Sequence, residues 1–423
     1  MPYEPPQWIK LDHSANIYPA TLSRRLAAMF RLSVTLNEVV DPSCLQTALE
    51  QTIRRIPLFQ YRLKQGVFWF FLEKQEGCPA VQPDAVNPLI SIKARDEGHF
   101  LFRIRYYACN IALETFHALT DGTGALTFLL TLTAAYLRIR YKTVIPSGKF
   151  ILPMDEPPHP EEMEDSFHHF IGSWGIIRAE QSAYHAKGQQ LPLHQLYILT
   201  GKIPIATLKG KCAQYGCTVT TFLAALMIET LQQQQARERK RKPLMVSVPV
   251  NLRAFFPSAT LRNFASWVNI GIDPRLGHYT LEEIINSLQA QMKLSLNEKA
   301  LQAKMSGTMR AAQNPVFRVL PSPVKRVILN LGDRLLGDSC CSQSLSNLGN
   351  ISLPDSMQPY VRELRFILGR SRGKAGSGSC ISLNGNLYLT FSRKIREAEF
   401  ERLFFSRLVE MDIPVEIESN YGR

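Results

Sequence analysis

The chain has 423 residues, with 49 Lys+Arg against 36 Asp+Glu for a formal net charge of +13, and 45% hydrophobic and 9% aromatic residues. This balance excludes a collagen, a coiled coil and a mainly disordered chain, and at roughly 150 residues per domain the length fits two large domains. No window offers the roughly 20 uncharged apolar residues of a membrane span. The most apolar one, Ala125 to Leu137, is short and rich in threonine. The first twenty residues lack a basic stretch followed by an apolar one, so no secretory signal is read. The expectation is a soluble, cytoplasmic protein of two lobes.

The positive surplus is scattered. Its only dense run, Arg237 to Lys242, follows Gln232 to Gln235 at the end of a helical pattern, where cations favour the negative helix end and solvate a turn. A nucleic-acid partner is therefore not expected, whereas an anionic small molecule suits such a surface. The eight cysteines form no C-x-x-C pair and read as reduced thiols, without zinc or a disulfide framework. The acidic stretch Asp155 to Asp165 contains Pro157, Pro158 and Pro160, which predicts an extended linker and no metal site.

Alternation in Arg31–Leu36 predicts a strand. Asp41 and Pro42 open a helix to about Arg55, as N-cap and first helical residue. A hairpin is predicted around Gln65-Gly66, and a second one, 99–108 with 111–116, turns at Cys109-Asn110. A loop from His117 to Thr123 follows, then an apolar helix to about Arg140. Residues 143–165 link the lobes, placed at 1–165 and 166–423. The second half predicts a strand near 193–200, helices over 205–215 and 218–235 split at Gly216, and strands 244–250 and 266–272. A long helix starts at Thr280, strands cover 340–345, 360–368, 379–383 and 387–392, and a last helix runs over 397–410. Asn384-Gly385 is a hairpin turn signal. The mixture gives an α/β or α+β fold in two lobes of similar make-up.

The segment Glu114-Thr-Phe-His-Ala-Leu-Thr-Asp-Gly-Thr-Gly-Ala125 carries chemistry. A strand delivers His117 at its end, and a turn with Asp121 and Gly122 leads into a helix, so the loop is fixed on both sides. Imidazole titrates near neutrality and can take a proton from a hydroxyl, amine or thiol. There is no G-x-S-x-G elbow of a hydrolase. Gly373 to Gly378 lacks the order of a phosphate loop and reads as a flexible loop.

His117, Asp121 and Gly122 resemble the H-x-x-x-D-G signature of the coenzyme A-dependent acyltransferase superfamily. That superfamily includes chloramphenicol acetyltransferase, the alcohol acetyltransferases and the condensation domains of peptide synthetases. Val248-Pro-Val-Asn-Leu-Arg253 with Arg262-Asn263-Phe264 resembles the segment before the inter-lobe crossover of alcohol acetyltransferase-like members. Ser346-Asn-Leu-Gly349 resembles a Ser/Thr-Asn-x-Gly element near the substrate channel. Phe116 replaces the second histidine usual in condensation domains, and the D-F-G-W-G string of plant members is missing, which points toward bacterial alcohol acetyltransferase-like proteins.

The resemblance implies two sandwich lobes meeting over a channel, with His117 as general base and Asp121 in a structural pairing with Arg253, Asn263 lying nearby. Ser346 or Asn347 is expected at the developing oxyanion. The donor it implies is acyl-coenzyme A, with a carrier-protein thioester left open, and the acceptor a small alcohol or amine. No permanent cofactor is implied. Arg370, Arg372 and Lys374, flanking a glycine-rich loop, are the cations expected near the coenzyme A phosphates.

Overall fold

A computed structural model describes residues 3–22, 27–92, 99–175, 180–314, 319–332 and 338–421. The first part of the chain builds β1 (Trp8–Lys10), α1 (Ile17–Thr21), β2 (Met29–Leu36), α2 (Pro42–Arg55), β3 (Tyr61–Gln65), β4 (Phe70–Lys74), β5 (Gln82–Pro83), β6 (Phe102–Tyr107), β7 (Asn110–Phe116) and α3 (Gly122–Tyr141). The rest builds β8 (Tyr197–Pro204), α4 (Ile205–Gln214), α5 (Val219–Gln235), β9 (Leu244–Asn251), β10 (Ala265–Ile272), α6 (Leu281–Ser295), α7 (Glu298–Gln313) and α8 (Ser322–Gly332). It ends with β11 (Gln343–Asn350), β12 (Val361–Leu368), β13 (Gly376–Leu383), β14 (Asn386–Arg393), α9 (Glu399–Glu410) and β15 (Glu416–Ser419).

Local chemistry explains many of the boundaries. Asp41 caps α2 by accepting from Ser43 N at 2.9 Å and Cys44 N at 3.1 Å, with Pro42 at the first helical position, which satisfies amides that have no helical partner. Thr280 and Glu283 form a reciprocal capping box at the start of α6. The predicted long helix after Thr280 is two helices, α6 and α7, separated at Leu296 and Asn297. Asn384 and Gly385 both take positive φ, 49° and 77°, and close the β13–β14 hairpin as a two-residue turn requires. The β6–β7 turn falls at Ala108-Cys109, one residue earlier than predicted, because Tyr107 pairs with Asn110.

Two main sheets carry two cores. The first lobe's sheet has the order β12-β2-β7-β6-β5 and the second's β10-β9-β11-β13-β14-β8-β15, with a small sheet β1-β4-β3 beside the first. Helix α3 is buried from Gly124 to Leu137. It is long and apolar enough to cross a membrane by length and composition, a property that the sequence reading had not found, yet 78% of its most apolar window lies inside the protein. A helix apolar on all sides is a core helix or a span, and the side chains of the first core surround this one.

The division at residue 165 does not hold for one strand. β12 pairs antiparallel with β2, with Leu364 opposite Val34, so the second half of the chain lends a strand to the first lobe. The register explains it: Val361, Leu364 and Phe366 bury their side chains in the first core. The loop around the Pro-rich linker also differs from an extended spacer. Glu162 is buried, and its two oxygens accept from Arg55 Nη1 and Nη2 at 2.7 and 2.8 Å, while Arg55 Nε donates to Pro153 O at 2.9 Å. An acidic stretch is thus strapped to α2. Four of the eight cysteines, Cys212, Cys340, Cys341 and Cys380, are buried, and among the described residues no group of His, Cys, Asp and Glu has the arrangement to hold a metal.

The Arg55–Glu162 pair has nearly no access to water, at 2% and 9% side-chain exposure. Removing one partner of such a pair strands the other charge. Glu162→Ala is expected to lower unfolding free energy by about 3 to 5 kcal/mol. Urea denaturation of both proteins measures it, and a midpoint unchanged from the parent would show that the strap carries no stability.

Candidate active site

His117 follows the last residue of β7, and its amide donates to Ala28 O at 2.9 Å. The strand therefore fixes the backbone on one side and α3 fixes it on the other. The imidazole stacks on Tyr18 from α1, with ring centres 4.4 Å apart, and meets the edge of Phe30 at 4.9 Å. The side chain is half-buried. Burial pushes its pKa below the ordinary histidine value, opposed by a hydrogen bond to its own main chain, by the Asp121 charge and by Asn263. The ring is thus biased toward the neutral form that accepts a proton.

Its tautomer follows from its neighbours. Nδ1 lies 3.0 Å from Asn263 Oδ1. The Asn263 amide is held the other way round by Asp12, whose Oδ2 accepts from Asn263 Nδ2 at 3.2 Å and from Asn263 N at 3.3 Å. Asp12 is completely buried and also accepts from Ala15 N at 2.7 Å. Burial raises its pKa to about 6 against the pull of Arg262, so at neutral pH it is a carboxylate and only accepts. Asn263 must then offer its oxygen to His117, Nδ1 must carry the hydrogen, and Nε2 keeps its lone pair. The sequence had placed Asn263 near the site without this task and had missed Asp12, which stands more than a hundred residues away in a segment with no motif. Only the tertiary contact identifies it.

Asp121 points away from the imidazole. Its Oδ1 caps α3, accepting from Thr123 N at 3.1 Å and Gly124 N at 3.0 Å. Its Oδ2 accepts from Arg253 Nη1 at 2.7 Å and Phe264 N at 2.9 Å. The Arg253 fork is itself tied down by Thr260 O and Arg262 O, each reached by Nη2 at 2.8 and 2.7 Å. So the structure brings Asp121, Arg253 and Asn263 together around the His117 loop, with the first two holding the lobes in contact and the third touching the ring.

Gly122 is the first residue of α3, and a Cβ there would lie 2.9 Å from Leu348 Cδ2. Gly124, which the sequence reading did not single out, is under a harder constraint. A Cβ at Gly124 would lie 2.1 Å from Leu261 O and 2.2 Å from Thr120 Oγ1, at a point where the Thr120 hydroxyl donates to that same carbonyl at 2.6 Å. Only glycine lets the second lobe's backbone approach the helix start so closely.

The remaining expected residues have other neighbours. Leu348 brings the 346–349 segment of β11 against the start of α3. The Asn347 amide is engaged on both sides: Oδ1 accepts from Gly349 N at 2.8 Å and Nδ2 donates to Thr220 Oγ1 at 2.9 Å. Arg370 Nη1 donates to Pro192 O at 2.8 Å and Arg372 Nη2 to Asn330 Oδ1 at 2.9 Å. Both belong to the loop after β12, which leaves the sheet as Gly369 N donates to Met29 O at 3.0 Å. Met29 is opposite Phe116, so the loop lies two strand spacings, roughly 10 Å, from the residue before His117. Arg370, Lys374 and the unexpected Lys394 line one small cleft.

Similarity to solved structures fits this geometry. Polyketide synthase associated protein 5 from Mycobacterium tuberculosis is 15% identical, with a TM-score of 0.61 over 95% of this chain and 96% of that one. Trichothecene 15-O-acetyltransferase from Fusarium sporotrichioides is 11% identical, with a TM-score of 0.62 over 95% and 94%. A starter condensation domain of rhizomide synthetase, in complex with C8-CoA, is 10% identical, with a TM-score of 0.62 over 96% and 94%. The chain has the two-lobed acyltransferase and condensation-domain fold. No protein-family model and no curated protein sequence matches it.

In this fold Asp121→Asn replaces an acceptor oxygen facing two donors with an amide or a weaker acceptor. The expected outcome is a loss of about 3 to 5 kcal/mol of stability together with reduced activity, measured by thermal melting and turnover. A melting temperature equal to the parent's alongside lost activity would assign Asp121 a direct chemical role.

Proposed function

We propose that the chain transfers an acyl group from a coenzyme A thioester to a hydroxyl acceptor, with His117 as general base. The observation that carries this reading is the His117–Asn263–Asp12 chain, which leaves Nε2 as the basic atom at the junction of the lobes. Nε2 takes the acceptor's proton as its oxygen attacks the thioester carbonyl. The C–S bond then breaks, and the departing thiolate takes the proton back from the imidazolium. Asp121, Gly122 and Arg253 hold the loop and touch no substrate. Ser346 is the better oxyanion donor of the pair first considered, because the Asn347 amide already has partners on both sides.

A neighbour of this fold holds C8-CoA and another is a 15-O-acetyltransferase, which supports a coenzyme A donor and an alcohol acceptor. The net charge of +13 supports an anionic donor, with its phosphates near Arg370, Arg372 and Lys374. The condensation domains among the similar structures favour a second reading, transfer from a carrier-protein thioester.

Release of free thiol from acetyl- and octanoyl-coenzyme A, with a panel of alcohols and amines, tests the reading. His117→Ala is expected to reduce turnover by about 10² to 10⁴ with the fold unchanged. Turnover from an acyl carrier protein but from neither coenzyme A ester would establish the second reading, and no turnover with any donor would make the chain a silent member of the fold.

The pH dependence follows from the lowered pKa of His117. The base is active when neutral, so activity falls as pH drops through that pKa, and the acid limb is expected below the ordinary histidine value of about 6.5. Asn263 pulls the pKa up. In Asn263→Leu the limb is expected to move to still lower pH while turnover at neutrality falls. A limb that stays in place would remove Asn263 from contact with the base.

A further inference from the structure

The second lobe's sheet is apolar on one face and polar on the other. In β9, β10 and β11 the side chains of Val246, Val248, Ile270 and Leu345 enter the second core. By strand alternation Ser247, Trp267, Asn269, Ser344 and Ser346 lie on the opposite face. That face meets the first lobe: Leu348, two residues beyond Ser346, packs against Gly122 at the start of α3, and Ser379 Oγ of β13 donates to Phe366 O of β12. The register sets polar groups side by side, with Asn269 opposite Ser247, Ser247 opposite Ser344, and Ser346 opposite Ser379. Among the described residues the hydroxyls of Ser247, Ser344 and Ser346 make no hydrogen bond, although Ser247 is only 9% exposed. Asn269 Oδ1 is buried and also without a partner, while its Nδ2 donates to Glu180 Oε2. Buried polar groups are ordinarily satisfied, so an orphaned amide oxygen beside idle hydroxyls marks a place for a ligand rich in hydrogen-bonding groups.

We propose that this row is the acceptor subsite, and that the acceptor is a polyhydroxylated molecule, a sugar or polyol, resting against Trp267. Its role as an acceptor rests on the acyl-transfer reading above; its binding does not. A serine hydroxyl both donates and accepts, and so do the hydroxyls of a sugar. An alkyl chain laid along the row leaves the serines and Asn269 unpaired, which is how a hydrogen-bonding site rejects an apolar analogue. Trp267 is 40% exposed, with Lys304 Nζ 4.0 Å from the centre of its ring, and its indole offers a flat apolar surface to a sugar ring. The row leads away from the base. Asn263 touches the imidazole, and Trp267 and Asn269 follow it by four and six residues, roughly 13 and 20 Å along the strand. The cleft of Arg370, Lys374 and Lys394 lies elsewhere, bordered by Ser377 of β13 and Ser392 of β14. Three strand spacings, roughly 14 Å, separate β13 from β10. With the donor phosphates at that cleft, the β9–β10 side of the sheet is left to the acceptor.

Two measurements on the full chain test the proposal. Saturation-transfer NMR with maltose and sorbitol reads binding without any turnover, and thiol release from acetyl-coenzyme A with maltose, sorbitol or 1-octanol reads acceptor choice. The parent is expected to bind at least one of the two polyols and to use it with a kcat/KM about a hundredfold above that for 1-octanol. The double variant Ser247→Ala, Ser344→Ala is expected to raise the KM for that polyol about tenfold, with the KM for acetyl-coenzyme A as in the parent. Neither change adds bulk, and circular dichroism with thermal melting checks that the fold is kept. Saturation transfer that the variant loses, with no turnover from any donor, upholds the polyol subsite and removes the acyl-transfer reading. Turnover with 1-octanol alone keeps that reading and overturns the subsite. No saturation transfer to either polyol overturns it too, and so does a KM rise confined to acetyl-coenzyme A, which assigns the row to the donor.

Discussion

One carboxylate holds the site in place. Asp121 has four hydrogen-bond donors around it, two from the first turn of its own helix and two from the other lobe. A group so enclosed, 3% exposed, has no freedom left for chemistry and a great deal of influence on geometry. It sets the start of α3, and hence where the His117 loop ends. It also sets how close the 251–264 segment comes, and hence where Asn263 meets the imidazole. The Thr120 hydroxyl and the bare Cα of Gly124 make that approach sterically possible. Lobe docking and imidazole orientation are one arrangement seen from two sides.

The strand that delivers the histidine is braced in the same manner. Glu114, three residues before His117, is fully buried in the sheet and accepts from Arg103 Nε at 2.6 Å, Arg31 Nη1 at 3.0 Å and Leu89 N at 3.0 Å. Burial alone would raise its pKa, but the arginines beside it bring it below the usual range. A buried charge with fewer partners would cost several kcal/mol. With these partners it fixes β2, β6 and β7 against each other at the end where the loop leaves.

Much of this was legible in the sequence, for reasons that can be named. The hairpin at Asn384-Gly385, the Asp41-Pro42 helix start and the break at Gly216 depend on local stereochemistry, and the chain declares them locally. The His117 to Gly122 segment is a contiguous signature, and the Asp121–Arg253 pairing came with the resemblance. What stayed hidden is long-range. Asp12, Glu162 and Thr120 are ordinary polar residues until tertiary structure buries them. Helices α7 and α8 carry weak or reversed patterns: α8 has its apolar residues outside, so periodicity read as core packing says the wrong thing about its face. The assignment of 360–368 to the second lobe failed because an alternating strand looks the same whichever sheet accepts it.

That borrowed strand has a consequence for how the protein is made. β2 lies between β7 and β12. On a ribosome β7 emerges soon after β2, but β12 follows only after roughly 250 more residues, some 10 to 50 seconds at ~5–20 residues per second. Throughout that interval β2 presents one unpaired edge, a row of amides and carbonyls open to any extended chain nearby. The first lobe therefore cannot finish before the second is nearly complete, and a chain cut anywhere between them leaves a half with an open seam and another with a strand that has no sheet to join.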